Sequence, residues 1–142
     1  MYLLDTDYVG ILQRKSGPGF GRLMARMALL DPSAFYLPII AFHEQMMGAN
    51  LYVSKAKDAE SAVRGYRLMN EILTRFAEGQ VLPFDEPAAT QFDELKLRRV
   101  RVGTMDLRIA CIALARGLTV LTRNSRDFER VPGLTVQDWT VP

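Results

Sequence analysis

Acidic side chains in apolar surroundings are the clearest sign of chemistry in this 142-residue sequence. Most of the 16 acidic residues stand beside lysine or arginine and need no special explanation. Asp5 directly follows the apolar residues 2–4. Glu44 lies within a second apolar segment, residues 39–47, and Asp106 opens the most apolar helical stretch of the chain. Because burying an isolated carboxylate is costly unless it is paired or binds a metal ion, these three residues are candidate metal ligands.

A fourth acid, Asp127, follows a strong strand pattern that ends at Thr122. Thr122 and Asn124 are small polar residues at this strand end, and they could orient a neighbouring carboxylate or a water molecule. In open α/β sheets, ligands bind in the crevice outside the carboxyl ends of the strands. We therefore expect the four acids to converge on one crevice.

Asp7 and three of these four acids also have purely structural interpretations. Asp7 lies two residues after Asp5, so it would share its face in an extended chain or would cap the helix that follows. Asp106 in a first helical turn would stabilise the helix dipole. Glu44 would be a partly exposed helix residue, and Asp127 would belong to a simple turn.

Four carboxylates in one crevice would repel one another without a cation, and some would have raised pKa values. Divalent ions would neutralise the cluster, activate a water molecule near neutral pH and stabilise a leaving oxygen. The chain has one cysteine (Cys111) and one histidine (His43), which are too few ligands for a Cys/His zinc site and too few residues for a complete Cys–His nucleophile system. Oxygen ligands favour hard ions, so we expect Mg²⁺, with Mn²⁺ as an alternative. The pattern predicts hydrolysis of a phosphodiester.

The overall composition is that of an ordinary globular chain, with 49% hydrophobic and 24% charged residues. Its length suits one domain, residues 1–142. We expect no membrane span, because no apolar run approaches roughly 18 residues, and no signal peptide. A single cysteine excludes an internal disulfide and indicates a reducing, cytoplasmic location. The net charge of +2 is too small to indicate nucleic-acid binding by itself.

Alternating short apolar runs and amphipathic segments predict an α/β fold with a mostly parallel central sheet flanked by helices. Strands are expected at residues 2–4, 35–40, 80–84, 118–122 and 134–136. Helices are expected at residues 8–15, 20–30, 41–51, 54–76, 85–101 and 105–116, with a short helix within 123–130. Pro38 requires the second strand to be short or to end there. We expect Thr104 to be an N-cap and Gly79 to occupy a C′ position.

Four motifs resemble, in order and spacing, those of PIN-domain ribonucleases, and most closely the VapC-type toxins of bacterial toxin–antitoxin pairs. The first motif is residues 4–7, LDTD, at the end of the first strand. The second is Glu44 with Gly48 four residues later. The third is residues 103–106, GTMD, and the fourth is residues 121–128, LTRNSRDF. Each motif alone is weak, but the four together are specific, and the resemblance covers essentially the whole chain.

The resemblance implies a PIN-like three-layer fold and an endoribonuclease with RNA as its substrate. It implies that Asp5 and Asp106 are the principal magnesium ligands and that Glu44 helps to position the attacking water. Asp127 would be a fourth, more variable acid. Three polar residues would hold the carboxylates in place: Thr6, Thr122 and Asn124. The resemblance further implies a cognate antitoxin protein and a homodimer.

The surroundings of Glu44 depart from the family pattern. Members often have a hydroxyl residue three positions before this acid, where this chain has Ala41, and a serine where it has Pro38. His43 occupies a position that is usually small. These departures affect which residues would hold Glu44 in place more than they affect the expected nuclease activity.

Basic residues crowd the sequence before Asp106, and we interpret Arg98, Arg99 and Arg101 as candidate RNA-binding residues. Contacts of such residues with phosphates would give salt-dependent affinity. The alternative is a solvated helix face. An antitoxin peptide could also use these arginines.

Two other functions fit parts of the sequence. The segment of residues 5–9, DTDYV, also matches the nucleophile motif of haloacid-dehalogenase-like phosphatases, in which Asp5 would be the nucleophile. That class needs a later lysine and a paired acid, but Lys96 is the last lysine and no acid pair follows Asp106. The other alternative is a catalytically inactive PIN-like module that binds RNA or protein.

Overall fold

The computed structural model describes residues 1–142 as a five-stranded sheet with helices on both faces. The strands are β1 (Tyr2–Leu4), β2 (Phe35–Pro38), β3 (Val81–Leu82), β4 (Thr119–Leu121) and β5 (Thr135–Gln137). The helices are α1 (Thr6–Arg14), α2 (Pro18–Met27), α3 (Ile39–Ser54), α4 (Ala59–Glu78), α5 (Glu86–Leu97), α6 (Thr104–Arg116) and α7 (Ser125–Phe128). None of these helices combines the length and the apolar character that crossing a membrane requires.

The sheet has the strand order β3-β2-β1-β4-β5, and every pairing is parallel. All carboxyl ends of the strands therefore lie at one edge of the sheet, with β1 at the centre. The register pairs Leu4 of β1 with Leu121 of β4. Just beyond this pair, the backbone N–H of Asp5 donates to the carbonyl of Leu121 at 3.1 Å. The first acid is thereby fixed beside the end of β4.

The side-chain alternation of the two central strands divides the core into two layers. Leu3 and Val120 pack with α5 and α6 on one face of the sheet. Leu4 and Leu121 pack with helices α1 to α4 on the other. Helix α6 is buried along most of its length, which explains why its sequence is almost entirely apolar. The predicted three-layer α/β fold with a parallel sheet is confirmed.

Several predicted helix ends differ from the structure, and the largest difference at a start is that α4 begins at Ala59 and not at residue 54. Gly103, not Thr104, is the N-cap of α6, and no side chain accepts a hydrogen bond there. Helix α5 was expected to run to Arg101 but ends at Leu97, because Arg99 has a φ of 56° that no α-helix continues.

The remaining boundaries follow local sequence signals. Pro38 ends β2 as expected, and α3 begins at the next residue. Gly79 ends α4, but its φ of −93° is not the left-handed value of a C′ glycine. A Cβ atom there would lie 2.7 Å from Cδ1 of Leu37, so a larger residue would require the leucine side chain to move.

Candidate active site

Asp5 is the most buried acid of the chain, with 4% of its surface exposed. It is the N-cap of α1, and its Oδ1 accepts from the backbone N–H of Tyr8 at 2.8 Å. Its Oδ2 accepts from the hydroxyl of Thr122. Burial raises the pKa of Asp5 to about 6, although these hydrogen bonds lower it. The interpretation of Asp7 as the cap was wrong, because the chain turns into the helix one residue after β1.

Asp7 lies in the first turn of α1 and makes an ion pair instead. The guanidinium of Arg123 donates from Nε to Oδ2 at 2.6 Å and from Nη2 to Oδ1 at 2.8 Å. This two-pronged geometry is the favoured one for arginine and carboxylate. The pair joins the start of α1 to the segment after β4, and its side chains are about half exposed.

Glu44 lies in the second turn of α3, which follows β2 without a loop. The hydroxyl of Thr6 donates to Oε1 of Glu44 at 2.7 Å, so a residue of α1 supports this carboxylate. The absence of a hydroxyl at Ala41 is therefore compensated from a different helix. Thr6 contacts a carboxylate as predicted, and the carboxylate is that of Glu44.

Asn124 connects the remaining two acids. Its Nδ2 donates to Oδ2 of Asp127 at 2.9 Å and reaches Oδ2 of Asp106 at 3.5 Å. Its backbone N–H donates to the hydroxyl oxygen of Thr122 at 2.8 Å, which links this group to Asp5. Burial raises the pKa of Asp106, and the charges of Glu44 and Asp127 raise it further.

A cleft of about 590 Å³ opens at the carboxyl edge of the sheet. Three of the four predicted acids line it: Asp5, Glu44 and Asp106. Asp127 does not line the cleft, but it is close enough to raise the pKa of Asp106. The predicted RNA-binding residues Arg98, Arg99 and Arg101 are exposed and also lie outside the lining.

The acids of the cleft suit a hard divalent cation. The charge of Asp106 raises the pKa of Asp5, the charge of Glu44 raises the pKa of Asp106, and a bound cation would relieve this repulsion. No three acidic, histidine or cysteine side chains are close enough together to form a complete protein cage. Such an arrangement fits Mg²⁺, which keeps several waters and binds through one or two carboxylates together with substrate phosphates.

The cleft also contains residues that the sequence analysis did not single out. Beyond the acids, its lining includes Gln13 and Arg14 of α1 and Gln45 of α3. The helical repeat could have indicated Gln13, because Thr6, Gly10 and Gln13 follow the i, i+4, i+7 spacing of one helix face, and Arg14 lies four residues after Gly10. The arginine paired with Asp7 was missed because no local pattern links residues so far apart in sequence.

The model of the PIN domain family matches residues 3–134 of this chain. The chain belongs to the PIN domain family. Ribonuclease VapC1 of Rickettsia felis is 41% identical over 138 residues, covering 94% of this chain and 92% of the relative. The toxin FitB of Neisseria gonorrhoeae is 32% identical over 132 residues, covering 90% and 91%. This PIN-domain chain is thus similar over nearly its whole length to VapC-type members of the family, which disfavours the phosphatase alternative.

A local match to the tRNA(fMet)-specific endonuclease VapC of Shigella flexneri is 42% identical over 64 residues. It spans 42% of this PIN-domain chain and only 48% of that enzyme. A second such enzyme, from Salmonella typhimurium, is matched over the same share of its length. This chain thus matches about half the length of these two relatives.

Solved structures confirm the PIN-domain fold over nearly the whole chain. The DNA-bound VapBC complex of Salmonella typhimurium superposes with a TM-score of 0.71 at 29% identity, covering 97% of both chains. The FitAcB complex of Neisseria gonorrhoeae gives the same TM-score at 28% identity and the same coverage. Nucleases with PIN domains depend in general on divalent metal ions, and the acids of the cleft are of the type that binds them.

Proposed function

We propose that this protein is a magnesium-dependent endoribonuclease and the toxin of a toxin–antitoxin pair. One observation carries the proposal: three of the four predicted acids, from separate parts of a PIN-domain chain, line one cleft at the carboxyl edge of its sheet. The ribonuclease names of the relatives support the substrate class. The toxin name of FitB and the solved FitAcB and VapBC structures support a toxin with a protein partner.

The proposed roles of the acids follow from what holds each one. Asp5 and Asp106 would hold the divalent ion, because they are the acids whose charge is most disfavoured by burial. Such an ion, when bound, supplies charge neutralisation at the phosphate and promotes ionisation of water. Glu44 would position the attacking water, with its carboxylate oriented by the hydroxyl of Thr6. Asp127 would keep the amide of Asn124 directed towards Asp106.

Two further features belong to the same proposal. The single cysteine, Cys111, is buried and unpaired, which suits a reducing cytoplasm. A homodimer is supported by large apolar side chains that remain exposed on α3 and α4. Light scattering of the purified protein should give the mass of a dimer, and a monomer at all concentrations would contradict this part.

RNA cleavage in cells tests the nuclease directly. The protein, Asp5→Ala and the matched surface variant Asp93→Asn would each be expressed in a bacterial host, and the new RNA ends would be sequenced. Asp93 is an exposed acid of α5, away from the cleft. We expect the same specific ends with the unchanged protein and with Asp93→Asn, and none with Asp5→Ala. Equal ends with all three proteins would overturn the proposal.

The metal is tested with purified protein and extracted bacterial RNA. Cleavage should stop in EDTA and return with Mg²⁺, and Mn²⁺ should also support it because it prefers the same oxygen ligands. Cleavage that persists in EDTA would contradict a metal-dependent mechanism.

A further inference from the structure

The cleft continues well beyond the acids, along the groove between α1 and α3. Its lining here consists of Gly10, Gln13 and Arg14 from α1 and Gln45, Gly48 and Ala49 from α3. Helix α1 rises by 1.5 Å per residue, so Gln13 lies about 10 Å along the helix from Thr6. This is a distinct part of the cleft, which the proposed roles of the acids leave unused.

A pair of amides bridges the two helices in this part of the cleft. Nε2 of Gln13 donates to Oε1 of Gln45 at 2.7 Å, and Nε2 of Gln45 donates back to Oε1 of Gln13 at 3.0 Å. Each amide has two N–H donors and two acceptor lone pairs. After the reciprocal bonds, each therefore keeps one donor and one acceptor. The fixed pair can offer these groups to a ligand in the cleft, as the edge of a nucleobase requires.

Arg14 supplies a positive charge next to the amide pair. It lines the cleft, and its guanidinium lies against the backbone of Gly10, where an added Cβ atom would be 3.0 Å from Nη1. The four ion pairs of the structure do not include Arg14. This guanidinium is therefore available to a phosphate, which it binds well through its planar fork of donors.

The same groove has room and apolar surface for the flat face of a base. A Cβ atom added at Gly48 would meet nothing within 4 Å, so this glycine leaves open space above α3. Leu68 and Ile72 of α4 and Ala49 of α3 also line the cleft. Proteins recognise the bases of single-stranded RNA through contact with their flat faces together with hydrogen bonds to their edges.

We propose that this groove is a subsite for the nucleotide next to the cleaved phosphodiester, in which Gln13 and Gln45 read the base and Arg14 binds a phosphate. This inference rests on the proposed function of the cleft as an RNA site and deepens it. The amide pair determines base preference, whereas the arginine contributes affinity that does not depend on sequence.

The test measures binding, so it does not require cleavage. All variants are made in the Asp5→Asn background, and fluorescence anisotropy follows short labelled homopolymers of adenosine, cytidine or uridine. Arg14→Ala should make the dependence of log affinity on log salt shallower by about 0.7, the value for one phosphate contact on a single strand. Lys57→Ala removes an exposed charge from the loop before α4 and is the matched control, which should keep the slope. Equal slopes for both variants would overturn the phosphate contact.

Base reading is tested with Gln13→Met and Gln45→Met, which keep side-chain length but remove the amides. The ratio of affinities between the best and the worst homopolymer should fall by about fivefold or more, the lower range for a paired base contact. A purely structural amide pair would change stability and leave this ratio unchanged, which would overturn the inference. Each single variant is measured as well as the double variant, and thermal unfolding verifies that each is folded.

Failure of this subsite and failure of the proposed function give different results. One outcome is that the unchanged protein cleaves RNA while the substitutions change neither the salt dependence of affinity nor the ratio of homopolymer affinities. In that case the subsite is wrong and the proposed nuclease function stands. If the slope and the ratio respond but the unchanged protein cleaves no more RNA than Asp5→Asn, the nucleotide subsite stands and the nuclease is wrong.

Discussion

Two acid-centred contacts join the same two segments of the chain, and they differ mainly in burial. Asp5 with Thr122 and Asp7 with Arg123 both connect the start of α1 to the residues after β4. The first contact is buried at the centre of the sheet edge, whereas the side chains of the second are about half exposed. The buried contact is with a neutral hydroxyl and leaves the negative charge uncompensated, but the exposed contact neutralises its acid with an arginine.

This difference shows why neighbouring, equally acidic residues are suited to different tasks. A buried carboxylate with a raised pKa stores unfavourable electrostatic energy that a cation can relieve. A carboxylate that already has an arginine gains little from a second cation. Asp5 is thus a candidate metal ligand, whereas Asp7, two residues later, holds two surface segments together.

The largest expected effect is the loss of activity on neutralising Asp5. Asp5→Asn should lower the rate of RNA cleavage by about 100-fold or more, the range found when one group that stabilises the transition state is removed. Asp7→Asn should cost no more than a few-fold. Initial rates on one labelled RNA with excess Mg²⁺ would measure both. Equal losses would contradict the assignment of different roles to the two acids.

The hydroxyl that orients Asp5 should matter more than the arginine beside it. Thr122→Val keeps the shape of the side chain but removes its donor to Asp5 and its acceptor for the N–H of Asn124. We expect about a 10- to 100-fold loss in metal affinity or cleavage rate, as for other groups that orient metal ligands. Arg123→Ala is the comparison, with a smaller loss. Titration of cleavage with Mg²⁺ would separate weaker metal binding from a slower reaction.

Burial of Asp5 also predicts the pH dependence of folding without metal. Its pKa is raised from 3.8 to about 6, so the folded state binds more protons than the unfolded state between these values. Stability from this residue is therefore lost as the pH rises from about 4 to about 7. In EDTA, Asp5→Asn should be more stable than the unchanged protein by about 3 kcal/mol above pH 7, since one pKa unit corresponds to about 1.4 kcal/mol.

Chemical unfolding at several pH values would measure this gain. The difference between the two proteins should shrink as the pH falls from about 7 to about 4, because Asp5 then becomes protonated in the folded state. A constant difference, or a less stable Asp5→Asn protein at high pH, would show that the carboxylate is not disfavoured by burial. Saturating Mg²⁺ should stabilise the unchanged protein more than the variant, because the ion binds only the folded state.

The smallest expected effect concerns the exposed ion pair. Arg123→Ala should lower the free energy of unfolding by under about 1 kcal/mol, as is usual for ion pairs at the surface. The effect should decrease further in high salt, because exposed charges are screened. Comparison of urea unfolding in low and high salt would measure it. A loss of several kcal/mol would mean that this pair is as important to the fold as the buried contact.

The sequence determined which residues could form the site, because the charge of a side chain and the polarity of its sequence neighbours can be read without a fold. Acids inside apolar runs, such as Asp5 and Glu44, are identifiable without a fold, since apolar neighbours indicate burial. The α/β class followed from the spacing of the apolar runs for the same reason. The helix end at Arg99 was missed because a single left-handed residue leaves no pattern in the sequence.

Only the tertiary structure decided what contacts each acid. The pairing of β1 with β4 decides that Thr122 meets Asp5 and that Arg123 meets Asp7. The bond between Gln13 and Gln45 likewise depends on how α1 packs against α3. Such contacts join residues far apart in the chain, so they depend on the packing of whole elements, which local sequence patterns do not encode.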